Sequence, residues 1–188
     1  MNTPDPTFPF AHGDSAAPTV VLITEWALAS MNRLARAAYE RAGTEWGGST
    51  FGRLMRERGW LVVLIEDATD GICSAASPAR VEIEPGSWEH GEAQIAADTE
   101  RASLRVKLRL GNWHSHPHMA VNPSEYIDLV SWSGYARRAD FVGIIINPFG
   151  PEQPNLRCWA RVNGIYRRLP CFIVADNATS RRMLEEYR

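Results

Sequence analysis

The sequence predicts an α/β domain in which helices cover a β-sheet, and three observations support this. Uninterrupted apolar runs at residues 61–65 and 141–146 suit strands that are buried on both faces. A run at residues 104–110 alternates apolar and basic side chains, which is typical of a strand with one solvent-exposed face. An amphipathic helical repeat lies between residues 27 and 38. With 188 residues, 45% of them apolar, the chain suits one domain with a sizeable core.

The first elements can be assigned in order along the chain. Residues 1–18 are rich in proline and predict an irregular leader, so the domain itself is expected to span residues 19–188. A short β-branched run at residues 19–23 predicts the first strand. The helix that follows is expected to begin after the cap residue Thr24 and to stop at Gly43.

The later elements have weaker patterns. Residues 86–103 are polar and weakly helical, and residues 124–139 predict a helix. Residues 156–174 predict two strands around the Asn-Gly turn at 163–164. A short amphipathic helix is expected at residues 179–188.

Composition argues against several functional classes. Twenty basic and twenty-two acidic residues give a formal charge of −2, so charge does not favour nucleic acid or an anionic membrane surface as a partner. Three cysteines without Cys-x-x-Cys spacing predict neither a disulfide framework nor a zinc ribbon. No apolar run approaches the ~20 residues of a membrane span, and the N-terminus lacks a signal-peptide pattern. We therefore expect a soluble cytoplasmic protein.

The segment Gly-Asn-Trp-His-Ser-His-Pro-His, at residues 111–118, carries the candidate chemistry. Residues two apart on a strand share a face, so His114 and His116 point the same way, close enough to hold one metal ion. If the alternation of the preceding strand continues without a bulge, both histidines lie on the side of Leu110 and face the interior. His118 is expected to be a bystander, and a site of three histidines is the competing interpretation.

A carboxylate at the start of the next helix is the natural third ligand. Ser124 and Asp128 are four residues apart, so they occupy one face of a helix that begins near Pro123, and the preceding loop can fold that face over the histidines. We therefore expect Asp128 to complete the site, with Glu125 as the alternative ligand. Two histidines, a carboxylate and a water make a tetrahedral zinc site with one exchangeable position.

A zinc hydrolase also needs a base that takes a proton from water without being a metal ligand. Glu45 is the candidate, because it precedes the stretch Trp-Gly-Gly-Ser-Thr-Phe-Gly, in which the backbone can pass close to a ligand. Glu66, at the end of the apolar run 61–65, is the competing base. Most of the seven tryptophans are expected in the core, and Trp46, beside Glu45, is the one to test for substrate contact.

Together these residues resemble the JAB/MPN family of zinc metalloproteases, also called JAMM proteins. The family pattern is a glutamate before a glycine-rich strand, then His-x-His-Pro, then Ser-x-x-Asp at the start of a helix. Glu45 looks like the family glutamate, His114 and His116 like its zinc histidines, and Ser124 like its serine. The order of the elements agrees over roughly residues 19–148.

One position departs from the family pattern. The family spacing places the aspartate at Ile127, whereas the carboxylate here is one residue later, at Asp128. One helical step is about 100°, so a regular helix cannot exchange one position for the other. A helix that starts differently could still deliver Asp128 to the metal, since positions i+3 and i+4 both flank the direction of residue i.

The resemblance implies a mixed β-sheet flanked by helices, similar to the cytidine-deaminase arrangement. It implies one zinc ion per chain, held by His114, His116 and Asp128, with Glu45 as the base and Ser124 as a donor to the oxyanion. The implied activity is that of a deubiquitinase-like isopeptidase, which hydrolyses the bond after the C-terminal tail of a ubiquitin-like protein. Bacterial relatives of this kind occur beside E1-like and E2-like proteins, including in antiphage conjugation systems.

Two other interpretations stay open. A JAB peptidase that trims the C-terminus of a sulfur-carrier protein would use the same residues. A metal-free MPN scaffold is the alternative from a different class; the intact Glu45, His114 and His116 argue against it, and the shift at Asp128 argues for it. The sequence does not indicate which residues grip a substrate.

Overall fold

The protein is built around a mixed sheet of eight strands. The structure is a computed structural model, which describes residues 20–57, 60–84, 86–97, 107–134, 138, 140–150 and 155–175. The strands of this sheet are β1 (Val20–Thr24), β2 (Gly47–Glu57), β3 (Trp60–Ala68), β6 (Leu108–Ser115), β7 (Val142–Ile146), β8 (Leu156–Val162), β9 (Ile165–Leu169) and β10 (Cys171–Val174). A separate hairpin is formed by β4 (Cys73–Ser77) and β5 (Arg80–Ile83). The helices in the described residues are α1 (Glu25–Ala42), α2 (Ser87–Ala97) and α3 (Asp128–Ser133).

The strand order is β10-β1-β3-β2-β6-β7-β8-β9. The pairs β10/β1, β1/β3 and β6/β7 are parallel, and the other neighbours are antiparallel. The predicted architecture, a mixed sheet flanked by helices, is thereby confirmed at this level. None of the described helices combines the length and the apolar character that a membrane crossing requires.

Helix α1 begins and ends where the sequence predicts. The side chain of Thr24 accepts a hydrogen bond from the backbone N–H of Ala27 at 3.1 Å, which caps the first turn. Gly43 ends the helix in the left-handed region, at φ 65°, and its N–H donates to the carbonyl of Tyr39. The apolar face of α1 covers one side of the sheet, and its buried contacts in that core are Ala27, Met31 and Ala35.

The opposite side of the sheet carries α2 and α3. Trp88 of α2 and Trp132 of α3 are buried there against Phe51, Phe141 and Ile145. Helix α3 lies close to β7 because residue 143 is a glycine: a Cβ at this position would meet ring atoms of Trp132 at 2.3 Å. Because Gly143 has no side chain, α3, which begins at Asp128, can pack closely against β7.

The strand that carries the histidines contains a bulge, which overturns their predicted orientation. Its pairing with β2 skips Leu110, which is the extra residue of the bulge. Leu110 belongs to the core on the α1 side, whereas His114 lies on the other face against Trp132, with ring centroids 6.1 Å apart. The prediction that the histidines share a face with Leu110 is wrong, because it required an unbroken alternation.

Two of the weaker predictions are also corrected. The helix expected at residues 124–139 begins only at Asp128, because residues 125–127 form a turn, and it ends at Ser133. Residues 156–174 form three strands rather than two, since the chain leaves the β8–β9 hairpin at Pro170 and pairs β10 with β1. The turn at 163–164 is as predicted: both residues have positive φ, as a two-residue hairpin with this sequence requires.

Several predictions fall outside the described residues. These are the leader at residues 1–18, the first half of the alternating run at 104–106 and the tail helix at 179–188. The sequence also gave no indication of the β4–β5 hairpin.

Candidate metal centre

The end of β6 and the start of α3 bring three predicted ligands together. The Nε2 atoms of His114 and His116 lie 3.1 Å apart. The carboxylate of Asp128 places Oδ1 at 3.2 Å from Nε2 of His114 and Oδ2 at 3.7 Å from Nε2 of His116. All three residues are buried, with at most 9% of their surface exposed. They form a group that could hold one metal ion.

The spacing of these atoms provides a test of fit. A tetrahedral zinc ion with ligand distances of about 2.0–2.1 Å holds its ligand atoms about 3.3 Å apart. Two separations lie close to that edge length: 3.1 Å between the two Nε2 atoms, and 3.2 Å between Nε2 of His114 and Oδ1 of Asp128. Two imidazoles and one carboxylate are also a donor set found in catalytic zinc sites. The residues present therefore fit a zinc-type ion.

A wide turn delivers Asp128 to the histidines. The backbone N–H of Leu129 donates to the carbonyl of Ser124 at 3.1 Å, five residues back rather than the four of an α-helix. The hydroxyl of Ser124 accepts from the N–H of Ile127 at 3.2 Å, and its own N–H donates to Oδ2 of Asp128 at 2.6 Å. The turn thus contains one residue more than an α-helical turn. This extra residue accounts for the position of the Asp128 carboxylate next to the histidines.

The protonation of two ligands suits metal binding. Burial and the neighbouring His114 lower the pKa of His116, which favours the neutral imidazole. Burial alone would raise the pKa of Asp128, but the hydrogen bond and charge of His114 and the N–H of Ser124 outweigh it, so this pKa is lowered. A neutral imidazole and an ionised carboxylate are the forms that bind a cation.

Glu45 lies beside this group without belonging to it. Its Oε1 is 3.9 Å from Nε2 of His116, and the residue is 3% exposed. Burial, and after it the charge of Asp128, raises the pKa of Glu45 to about 8. Its backbone N–H donates to the carbonyl of Ser77 in β4 at 2.8 Å. The hairpin that the sequence analysis missed therefore borders the candidate base.

Ser115, between the two histidines, is a positioning residue that the sequence analysis also missed. Its hydroxyl accepts from the N–H of Trp46 at 3.0 Å, and its own N–H donates to the carbonyl of Trp46 at 2.8 Å. These two bonds tie the segment that carries Glu45 to the strand that carries the histidines. A small hydroxyl residue within the His-Ser-His triplet was the available sequence signal.

The competing site residues lie elsewhere. Glu66 forms an ion pair with Arg53 at 2.9 Å, and Glu125 is exposed. His118 is exposed and stacks on Phe149, with ring centroids 4.7 Å apart, so it does not join the group of three potential ligands. Trp46 is half-buried, and its indole N–H donates to the carboxylate of Asp70.

Comparison with known proteins supports the fold. No protein-family model matches this chain, and no curated protein matches it significantly. Among solved structures, the chain is similar to the solution structure of protein DSY2949 from Desulfitobacterium hafniense, a structural-genomics target, with a TM-score of 0.56 and 18% identity. The similarity covers 85% of this chain and 96% of that one. At this level of identity the likeness shows a shared fold.

Proposed function

We propose that the protein is a zinc-dependent peptidase or isopeptidase of the JAB/MPN kind, which cleaves the bond after the C-terminal tail of a ubiquitin-like protein. The observation that carries the proposal is the position of Glu45: it lies 3.9 Å from His116 but outside the group formed by His114, His116 and Asp128. Hydrolysis requires this separation, since a carboxylate that is a ligand cannot act freely as the base.

The same observations weigh against a metal-free MPN scaffold. The shift of the aspartate to position 128 was the sequence argument for a scaffold. The wide turn between Ser124 and Leu129 removes that argument, because it brings Asp128 to 3.2 Å from His114.

Each residue around the metal group has a role in the proposed reaction. A bound zinc ion supplies Lewis acidity and lowers the pKa of water toward ~7. Glu45 accepts a proton from the attacking water and later delivers it to the leaving amine. The hydroxyl oxygen of Ser124 already accepts from Ile127, which leaves its O–H to donate to the oxyanion, a contribution of about 3 kcal/mol for one such donor.

The substrate proposal rests on the JAB/MPN resemblance. Ubiquitin-like proteins and sulfur-carrier proteins both present an extended C-terminal tail, which can bind by main-chain pairing to a strand edge. We favour a ubiquitin-like substrate, in a bacterial conjugation system with E1-like and E2-like partners. Trimming of a sulfur-carrier protein is the alternative, and the assay must distinguish it from cleavage of a ubiquitin-like substrate.

The test is a cleavage assay with three substrates: a ubiquitin-like protein joined at its C-terminus to a lysine side chain, a sulfur-carrier protein with a C-terminal extension, and casein. We expect cleavage of the first, its loss on chelation, and its loss in Glu45→Gln but not in the matched control Glu66→Gln. Cleavage of the sulfur carrier alone would favour the alternative. Chelator-sensitive digestion of casein without cleavage of either tailed substrate would contradict the proposal and indicate a general peptidase.

A further inference from the structure

The loop that follows His116 is fastened to a single buried side chain, that of Asn147. This residue comes directly after β7 and is 6% exposed. Its Oδ1 accepts from the backbone N–H of His118 at 3.3 Å and from that of Phe149 at 3.0 Å, and its Nδ2 donates to the carbonyl of Met119 at 2.8 Å. The side chain thus uses both its acceptor and its donor, on two segments of backbone.

The same loop supplies the partner of the His116 ring. Nδ1 of His116 lies 2.9 Å from the carbonyl oxygen of Ala120, one residue beyond Met119. A carbonyl oxygen can only accept, so Nδ1 carries the proton and Nε2 keeps its lone pair. Nε2 is the atom that faces His114 and Asp128. The Ala120 contact therefore selects the tautomer of His116 that a metal ion can use.

The loop does not hold this shape through backbone preference alone. His118 has a φ of 59°, in the left-handed region that residues other than glycine seldom occupy. Asn147 bonds the N–H of this residue, and Phe149, which Asn147 also bonds, stacks on its ring at 15° between planes. The backbone N–H of Asn147 in turn donates to the carbonyl of Asn155 at 2.8 Å, immediately before β8. The loop is thereby tied to the sheet.

We propose that Asn147 is a positioning residue for the metal centre: by holding residues 118 and 119, it keeps the carbonyl of Ala120 on Nδ1 of His116. The inference rests on the metal site of the proposed function, but not on its peptidase reaction. Asparagine suits the role because its amide offers an acceptor and donors in one plane. Direct hydrogen-bond partners of metal-bound histidines, here the carbonyl of Ala120, typically contribute 10–100-fold to metal affinity.

Two measurements on purified protein test the inference without any substrate. The zinc dissociation constant is measured by competition with a chelating dye, and the ring nitrogens of His116 are observed by ¹⁵N NMR in the metal-free protein. Asn147→Ala should weaken zinc binding by ~10–100-fold and change His116 from one tautomer to a mixture. Asn147→Ser, which keeps a hydroxyl acceptor but loses the bond to Met119, should move both measurements in the same direction.

The controls separate positioning from general destabilisation. Thr24→Ala removes the cap of α1, far along the chain from the loop, and should lower stability while leaving zinc affinity and the His116 tautomer unchanged. A folded Asn147→Ala with wild-type affinity and tautomer would overturn the inference, and if that variant does not fold, the same result in Asn147→Ser would do so. Undiminished zinc binding in His116→Ala would instead overturn the metal site itself.

Discussion

The carboxylate of Asp128 accepts a hydrogen bond from the backbone N–H of Ser124 at 2.6 Å, across a turn one residue wider than that of an α-helix. This bond occupies Oδ2, while Oδ1 stays 3.2 Å from Nε2 of His114. The turn therefore orients the carboxylate toward the histidines as well as bringing it near them. A regular helix from Ser124 would have turned residue 128 by about 100° relative to residue 127.

The first prediction concerns metal content. Protein purified without added zinc should carry about one zinc ion per chain, because two imidazoles and one carboxylate come together there as in a catalytic zinc site. His116→Ala and Asp128→Ala should lose most of it, whereas Glu125→Ala should keep it, since Glu125 is exposed. Elemental analysis after gel filtration measures this. Full zinc in Asp128→Ala together with loss in Glu125→Ala would show that the ligand is misassigned.

The second prediction tests the wide turn directly. Deletion of Tyr126 shortens the spacing between Ser124 and the aspartate from four residues to three. The side chain of Tyr126 is 87% exposed, so its removal sacrifices little packing. We expect the deletion variant to retain one zinc per chain, because a normal helical turn then replaces the wide one. Insertion of an alanine after Tyr126 should abolish binding, and equal zinc content in the two variants would contradict this account.

The third prediction separates the base from the ligands. Glu45→Gln should lower the cleavage rate by ~10²–10⁴-fold with zinc content unchanged, because a base outside the metal group transfers protons and does not bind the ion. The rate and the metal content are measured on the same preparation. Glu66→Gln is the matched control, since Glu66 pairs with Arg53 instead. Loss of rate in the control, or none in Glu45→Gln, would refute the assignment.

The sequence predicted those parts of the fold that depend on local signals. The cap at Thr24, the stop at Gly43 and the buried strand at residues 61–65 follow from residue type and periodicity, and all three appear in the structure. The side of the sheet on which His114 lies could not be predicted in this way. The bulge at Leu110 arises from the pairing of β6 with β2, and such pairing cannot be predicted from the sequence of one strand alone.

In the candidate site, too, residues with a local sequence pattern could be predicted, and residues that act through distant contacts could not. His114 and His116 were predicted from spacing, because residues two apart on a strand share a face. Asp128 was predicted from helical spacing, although a wide turn rather than a helix brings it to the histidines. Glu45 was a candidate because of the glycine-rich stretch that follows it, and the family resemblance added support, since a lone carboxylate has no period of its own. Asn147 acts through backbone contacts with residues far away in sequence, so no pattern near it could reveal its role. Ser115 also bonds a distant backbone, that of Trp46, and its sequence signal was only a small hydroxyl residue between two histidines.

The fourth prediction concerns the packing that holds α3. Gly143→Ala should lower the free energy of unfolding by about 1–3 kcal/mol, since the new Cβ meets the ring of Trp132 at 2.3 Å. Zinc affinity should fall as well, because Trp132 lies on the helix that begins at Asp128. Denaturant unfolding and dye competition measure the two effects. Gly134→Ala is the control: among the described residues its Cβ would meet only the carbonyl oxygen of Ser131, at 3.4 Å, so a comparable loss there would contradict the argument.

The last prediction concerns the thiols. Cys171 lies in a groove of about 690 Å³, together with Arg157 and Arg168. A hydrogen bond from Cys158, with help from these two arginines, lowers the pKa of Cys171 to about 7, whereas burial raises the pKa of Cys73 to about 11. At neutral pH a large share of Cys171 is therefore thiolate, the form that reacts with alkylating agents.

Iodoacetamide at pH 7 should accordingly modify Cys171 at least ~10-fold faster than Cys73, because so little of the latter is ionised. The rate should fall as the pH is lowered below 7, since protonation removes the thiolate of Cys171. Peptide mapping by mass spectrometry at short times identifies the labelled residue. Cys171→Ser should remove the fast phase and Cys73→Ser should leave it. If Cys73 were labelled first, the hydrogen bond between Cys158 and Cys171 would not be the feature that controls thiol reactivity.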